Sequence, residues 1–201
     1  MLFPIYPNPT INAPKNNPSM GQKGVEVKIT KKWIEKQHFN EDFLNWFSSQ
    51  KETSGASIIK SLRAENEFEL ANWLFVNKLM SYKQYVSYAV FSIEQVMDIY
   101  EKKYPNDRRP RQTIKAVKKC IANPSKKNKD SARAAGRYYT HVADGAAEEV
   151  GFAVNCAVTA ATFCVAPAAG VAALKAYIVG GQEVREKIFN YGIKLLEVRD
   201  F

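Results

Sequence analysis

Histidine and cysteine are both scarce in this chain. Its 201 residues hold two histidines, His38 and His141, and three cysteines, Cys120, Cys156 and Cys164. The cysteines are odd in number, form no C-x-x-C pair and have no histidine cluster beside them. This argues against a disulfide framework and against a zinc site, so no metal and no cofactor is expected. It reads as reduced, buried thiols in a cytoplasmic protein. Glycine-rich loops are missing too: Gly145 and Gly151 are isolated, so nothing cradles a phosphate in the manner of a nucleotide-binding turn. No serine or cysteine stands in a nucleophile motif. His141 and Asp144, three residues apart, have the spacing of a proton-shuttling pair. Without a nucleophile the pair makes no reaction centre, and no catalytic residue is assigned.

Other absences bound the architecture. Met1-Leu2-Phe3-Pro4 lacks the basic start and apolar run of a secretory signal. Val150 to Leu174 carries no charge and is long enough to span a bilayer, for which ~20 apolar residues suffice. However, it is mostly Ala and Val, interrupted by Asn155, Thr159, Thr162, Pro167 and Gly170. Such a run inserts poorly and packs closely, so it reads as a buried Ala-rich hairpin and no membrane partner is expected. Alternation of β-branched residues is confined to Val25-Glu26-Val27-Lys28-Ile29, one short strand or extended chain. Residues 1–24 hold five prolines and no acid. Residues 1–29 therefore read as an extended Pro-rich arm, either a flexible tail or a docking segment with Phe3, Ile5 and Tyr6 as anchors on a neighbouring copy in a homo-oligomer.

What remains is helical, and residues 30–201 read as one all-α domain, a compact bundle of about seven to nine helices. Asn40 caps one helix ahead of Phe43, Leu44, Trp46 and Phe47, and Ser54-Gly55 precedes another. A broad apolar face predicts a helix over Asn66–Met80, and Ser81 starts a longer one to about Lys103. Asp107 and Pro110 mark the next start, with Ile114, Val117 and Ile121 facing inward. Lys126–Asp130 reads as a charged loop, followed by one long helix to about Val165. Ala168–Val179 and Gln182–Leu196, separated by Gly180-Gly181, close the chain. The three tryptophans, Cys156 and Cys164 read as core.

The charge is concentrated. Residues 101–137 hold 13 Lys or Arg against 3 Asp or Glu, whereas the rest of the chain holds 16 against 17. Clustered cations point to phosphates, carboxylates or an acidic protein surface. Two groups could do the binding. Arg108, Arg109 and Arg111 crowd one helix start, with Lys115 and Lys118 continuing the face of Arg111; arginine forks grip phosphate or carboxylate bidentately. Alternatively, Asp107 caps that helix and pairs with a nearby arginine. The second group is Arg133, Arg137, His141, Asp144 and Glu148, at helical steps among small residues, with Tyr138 offering a ring that could stack on a base. Its plainer reading is internal ion pairing along a polar face.

Several blocks resemble a known family. They are Ala71-Asn72-Trp73-Leu74, Lys78-Leu79-Met80, Glu94-Gln95-Val96, Glu101-Lys102-Lys103-Tyr104-Pro105 and Asp107-Arg108-Arg109-Pro110-Arg111. The Ala-Arg-Ala-Ala-Gly run at 132–136 and Tyr191-Gly192-Ile193-Lys194 continue them. Over about residues 62–197 the chain is similar to the Ala-rich immunity proteins of polymorphic-toxin systems, members of which also occur in phages. The resemblance implies an all-α fold and a non-enzymatic role in neutralising a toxin or immune effector protein. The residues themselves leave two alternatives open: sequestration of an anionic nucleotide between helices, and nucleic-acid binding. A basic surface sits poorly on a basic nuclease cleft, which counts against direct nuclease inhibition.

Overall fold

A computed structural model describes residues 26–137 and 145–198. Among these, ten α-helices follow in order: α1 (Lys31–Glu35), α2 (Glu41–Ser49), α3 (Gly55–Ala64), α4 (Phe68–Leu74), α5 (Tyr82–Glu94), α6 (Met97–Lys103), α7 (Arg109–Ala122), α8 (Lys126–Gly136), α9 (Gly145–Phe163) and α10 (Ala166–Glu197). The fold is all-α. Val27 and Ile29 are buried in extended chain, tied to the start of α3 by an antiparallel bridge between Lys28 and Ser54. The anchors Phe3, Ile5 and Tyr6 of the arm lie outside the described residues.

The caps expected at Asn40 and Ser81 form, and Thr30 and Ser54 add two more of the same kind. Thr30, Asn40 and Ser54 accept the backbone N–H of Trp33, Phe43 and Ser57. Ser81 and Gln84 cap α5 reciprocally. Elsewhere the helices are shorter than apolar spacing alone predicts. The Asn66–Met80 segment becomes α4 followed by a π-helical turn, Phe75–Leu79, that buries Phe75, Val76 and Leu79. The Ser81–Lys103 helix breaks at Gln95–Val96. There the Ser92 hydroxyl and Gln95 amide donate to the Tyr88 and Phe91 carbonyls, a competition that bends helices. Lys126–Asp130 is not a loop. Ser125 accepts the Asn128 N–H at 3.3 Å and starts α8 there.

α5 is the central helix. Tyr85, Val86, Tyr88, Ala89, Val90 and Ile93 are buried around most of its circumference, the pattern of a helix covered on several sides. α10 changes partner along its length. At Gly181 the backbone turns to φ 71°, ψ −163°, a region in practice open only to glycine. Before the bend α10 lies on α9 through alanines, Ala153, Ala157, Ala160 and Ala161 on one side and Ala169, Ala172, Ala173 and Ala176 on the other. After it, α10 runs antiparallel along α5. Phe91 and Tyr191 stack at 3.9 Å, and the Gln84 amide donates to the Leu195 carbonyl at 2.5 Å. Gly192 makes this approach possible, because a Cβ there would stand 2.8 Å from the Phe75 ring.

The uncharged Ala-rich stretch is thus a packed hairpin. Among the described residues no helix is long and apolar enough to cross a membrane. Its thiols correct one expectation. Only Cys120 is fully buried; Cys156 is half-buried and Cys164 is exposed, at φ 58° in the turn between α9 and α10. Trp33, Trp46 and Trp73 are half-buried against the core.

Candidate functional site

α7 packs with Ile114, Val117 and Cys120 inward, which leaves its cations outward. Three carboxylates meet one rib of them. Glu94, Asp98 and Glu101 lie at steps of four and three along α5 and α6, antiparallel to Arg111, Lys115 and Lys118. Lys118 bonds Glu94 at 2.6 Å. The Arg111 fork takes both Glu101 oxygens, one of them at 2.7 Å, and reaches Asp98 at 3.5 Å. The Arg111 bonds pull Glu101 below the usual carboxylate range. Part of the basic segment's charge is therefore cancelled by Glu94 and Asp98, which precede it in sequence, and by Glu101 at its first position. Lys115 sits between the two paired steps, exposed, beside Met97 and Ile114.

Asp107 organises the start of α7. Helical geometry begins at Arg109, with Arg108 in the cap position, so Asp107 stands one residue earlier than sequence reading places it. Its carboxylate still accepts the Arg109 backbone N–H at 3.0 Å. It also takes the Arg109 guanidinium at 2.8 and 2.6 Å and the Tyr100 hydroxyl at 2.8 Å. The Arg109 guanidinium, aided by its N–H and by Tyr100, holds the Asp107 carboxyl far below its ordinary value. Burial, reinforced by the bond to Asp107, pushes the Tyr100 phenol up to about 12. Arg109 is thus committed to a structural carboxylate, whereas Arg108 is exposed and points its charge at the same region as Glu101.

Beside this turn lies an open cleft of about 640 Å³, bordered by Lys103, Tyr104, Asp107, Arg108, Arg109 and Gln112. α8 returns antiparallel to α7, fixed by the Thr113 hydroxyl donating to the Ala135 carbonyl at 3.0 Å. This register brings exposed Arg137 to the same end of the helix pair as the α7 start. Arg133, one turn earlier in α8, is bonded to Asp130 and lies over the Phe163 ring.

The second sequence-predicted group does not share one helix. α8 ends at Gly136 and α9 begins at Gly145, so Arg133 and Glu148 belong to different elements. The small residues that suggested continuity let α8 and α9 pack instead; a Cβ on Gly136 would stand 3.0 Å from Val158. Tyr138, His141 and Asp144 lie outside the described residues. Sequence reasoning missed the partners: Tyr100 as a hub and Glu94, Asp98 and Glu101 as a ladder. The ladder had a signal, since its steps of four and three mirror those of Arg111, Lys115 and Lys118. Also missed was the α9–α10 turn, where Lys129 donates to the Cys164 sulfur at 3.3 Å. No group of three or more His, Cys, Asp or Glu suited to a metal occurs among the described residues.

A protein-family model described as immunity protein Imm5 matches residues 53–183. No curated protein and no solved structure matches the chain.

Proposed function

The chain belongs to the immunity protein Imm5 family, and on that premise we propose that it neutralises a toxin by binding it, with no chemical step of its own, through cations of the α6–α8 region. Family membership implies the immunity role and a toxin as partner. The cationic face is supported by the charge left over after folding. Asp107, Glu94, Asp98 and Glu101 occupy Arg109, Lys118 and Arg111. Arg108, Lys115, Lys119 and Lys127 stand exposed and bond no carboxylate among the described residues. Unpaired cations on a rigid helix pair steer and orient an acidic partner.

The test is direct binding to a candidate cognate toxin, prepared as an inactivated variant. Arg108→Glu with Lys115→Glu is expected to weaken binding roughly tenfold to a hundredfold, mainly through slower association, and to flatten its salt dependence. Unaltered affinity and salt dependence would remove the cationic face from the interface. Failure of the unaltered chain to bind at low salt, or to rescue growth of cells expressing the toxin, would remove the role itself.

A second reading, sequestration of an anionic nucleotide, is favoured by the cleft between α6 and α7. There Lys103, Arg108 and the Tyr104 ring border one volume. Its weakness is that the Arg109 and Arg111 forks already hold carboxylates. A thermal-shift series with mono-, di- and cyclic nucleotides separates the two. Stabilisation by one nucleotide that persists at moderate salt indicates a pocket; a shift common to all anions and lost in salt indicates a surface.

A further inference from the structure

The turn between α9 and α10 presents an aromatic ring in a cationic frame. Phe163, the last residue of α9, is 61% exposed, more than any other large hydrophobic side chain among the described residues, and Val165 beside it is 38% exposed. Arg133 lies over the ring, its guanidinium carbon 5.3 Å from the centroid. Lys129 reaches the same turn, where it contacts the Cys164 sulfur and the Tyr82 ring. Both cations come from α8, which carries Lys126, Lys127, Lys129 and Arg133 against the single acid Asp130. Asp130 is itself taken by Lys126 and Arg133.

We propose that Phe163, framed by Arg133 and Lys129, is the anchor of the toxin interface and enters an apolar pocket rimmed by aspartate or glutamate on the toxin protein. The proposal rests on the immunity reading and gives it a point of contact away from the α7 start. An exposed aromatic with an arginine stacked on it has the composition of an interface hot spot. Charge complementarity selects an acidic rim. A second copy of this chain would bring the same cations to the contact and be repelled. A nucleic acid would stack a base on an open ring face; here one face is covered by Arg133 and the neighbour is aliphatic Val165.

The experiment uses the full chain and the same inactivated toxin. Phe163→Ala is expected to weaken binding roughly thirtyfold or more with an unchanged melting temperature, since the ring is largely solvent-exposed. Phe152→Ala removes another exposed ring, 50% accessible, and is expected to leave affinity unchanged. An independent readout needs no substitution: bound toxin should slow alkylation of exposed Cys164 by N-ethylmaleimide, followed by peptide mass mapping. If Phe163→Ala binds as tightly as the unaltered chain and Cys164 alkylates at the same rate in the complex, the anchor is refuted. Loss of binding in Arg108→Glu/Lys115→Glu would then show that the toxin reading survives without it. If the unaltered chain does not bind the toxin, both fall. If Phe163→Ala instead abolishes binding to a single-stranded oligonucleotide, or self-association in sedimentation, the anchor belongs to another partner and the proposal is overturned.

Discussion

The carboxylate of Asp107 grips the guanidinium of Arg109 at 2.8 and 2.6 Å while accepting the backbone N–H of the same residue. One acid thereby sets the first turn of α7 and, through the Tyr100 hydroxyl, fastens it to α6. Asp107→Ala removes the carboxylate that accepts that hydroxyl, on a ring that is 2% exposed. The expected loss is about 1–3 kcal/mol of stability by urea unfolding. A loss within measurement error would show the hub to be decorative.

The same carboxylate gives a pH signature. Its folded-state value is held below its ordinary one by Arg109. Its contribution is therefore complete above the unfolded value, near pH 4, and is lost as pH falls through the folded value. Urea midpoints measured from pH 7 to pH 3 should fall more steeply below about pH 4 in the unaltered chain than in Asp107→Asn. Parallel profiles would assign the acid limb to other groups.

The ladder between α7 and α5–α6 should contribute little. Lys118 and Glu94 are both substantially exposed, and such pairs give 0.2–1 kcal/mol by the usual range. A double-mutant cycle on Lys118→Ala and Glu94→Ala is expected to return a coupling under about 1 kcal/mol that shrinks in salt. The corresponding expectation for function is that Arg111→Ala affects toxin binding less than Arg108→Ala does. The reverse order would place the ladder within the interface.

Two glycines should be intolerant for different reasons. Gly192→Val drives a side chain into Phe75 and Tyr88, an overpacking expected to cost roughly 1–3 kcal/mol or more. Gly181→Ala meets no atom within 4 Å, so any cost is conformational, about 1–3 kcal/mol for its backbone region. Thermal unfolding of both separates crowding from strain: adding Phe75→Leu should partly rescue Gly192→Val and leave Gly181→Ala unchanged.

Helix type and most starts were legible because they rest on nearest neighbours in sequence. Asn40, Ser54 and Ser81 each precede an apolar face and each caps it. Breaks were less legible where side chains compete for carbonyls, as at Gln95–Val96, or where a wider turn improves burial, as at Phe75–Leu79. The basic segment was plain from composition. Which cations remain unpaired was not, because pairing depends on the register of α7 against α5 and α6. Phe163 falls at steps of four, three and four from Phe152 through Cys156 and Thr159, the stripe of α9 left partly exposed, but which stripe that is depends on how α9 packs.

The bend at Gly181 also bears on how small a working piece of this protein can be. The family match stops at residue 183, two positions past the bend. The described residues beyond it are chiefly the half of α10 that roofs α5, including Ile188, Phe189, Leu195 and Leu196, all buried. A fragment trimmed to the matched boundaries would keep the cationic helices and strip the cover from the helix they are built upon. The part of the chain that the family pattern recognises and the part that must be present for it to hold its shape are therefore different lengths.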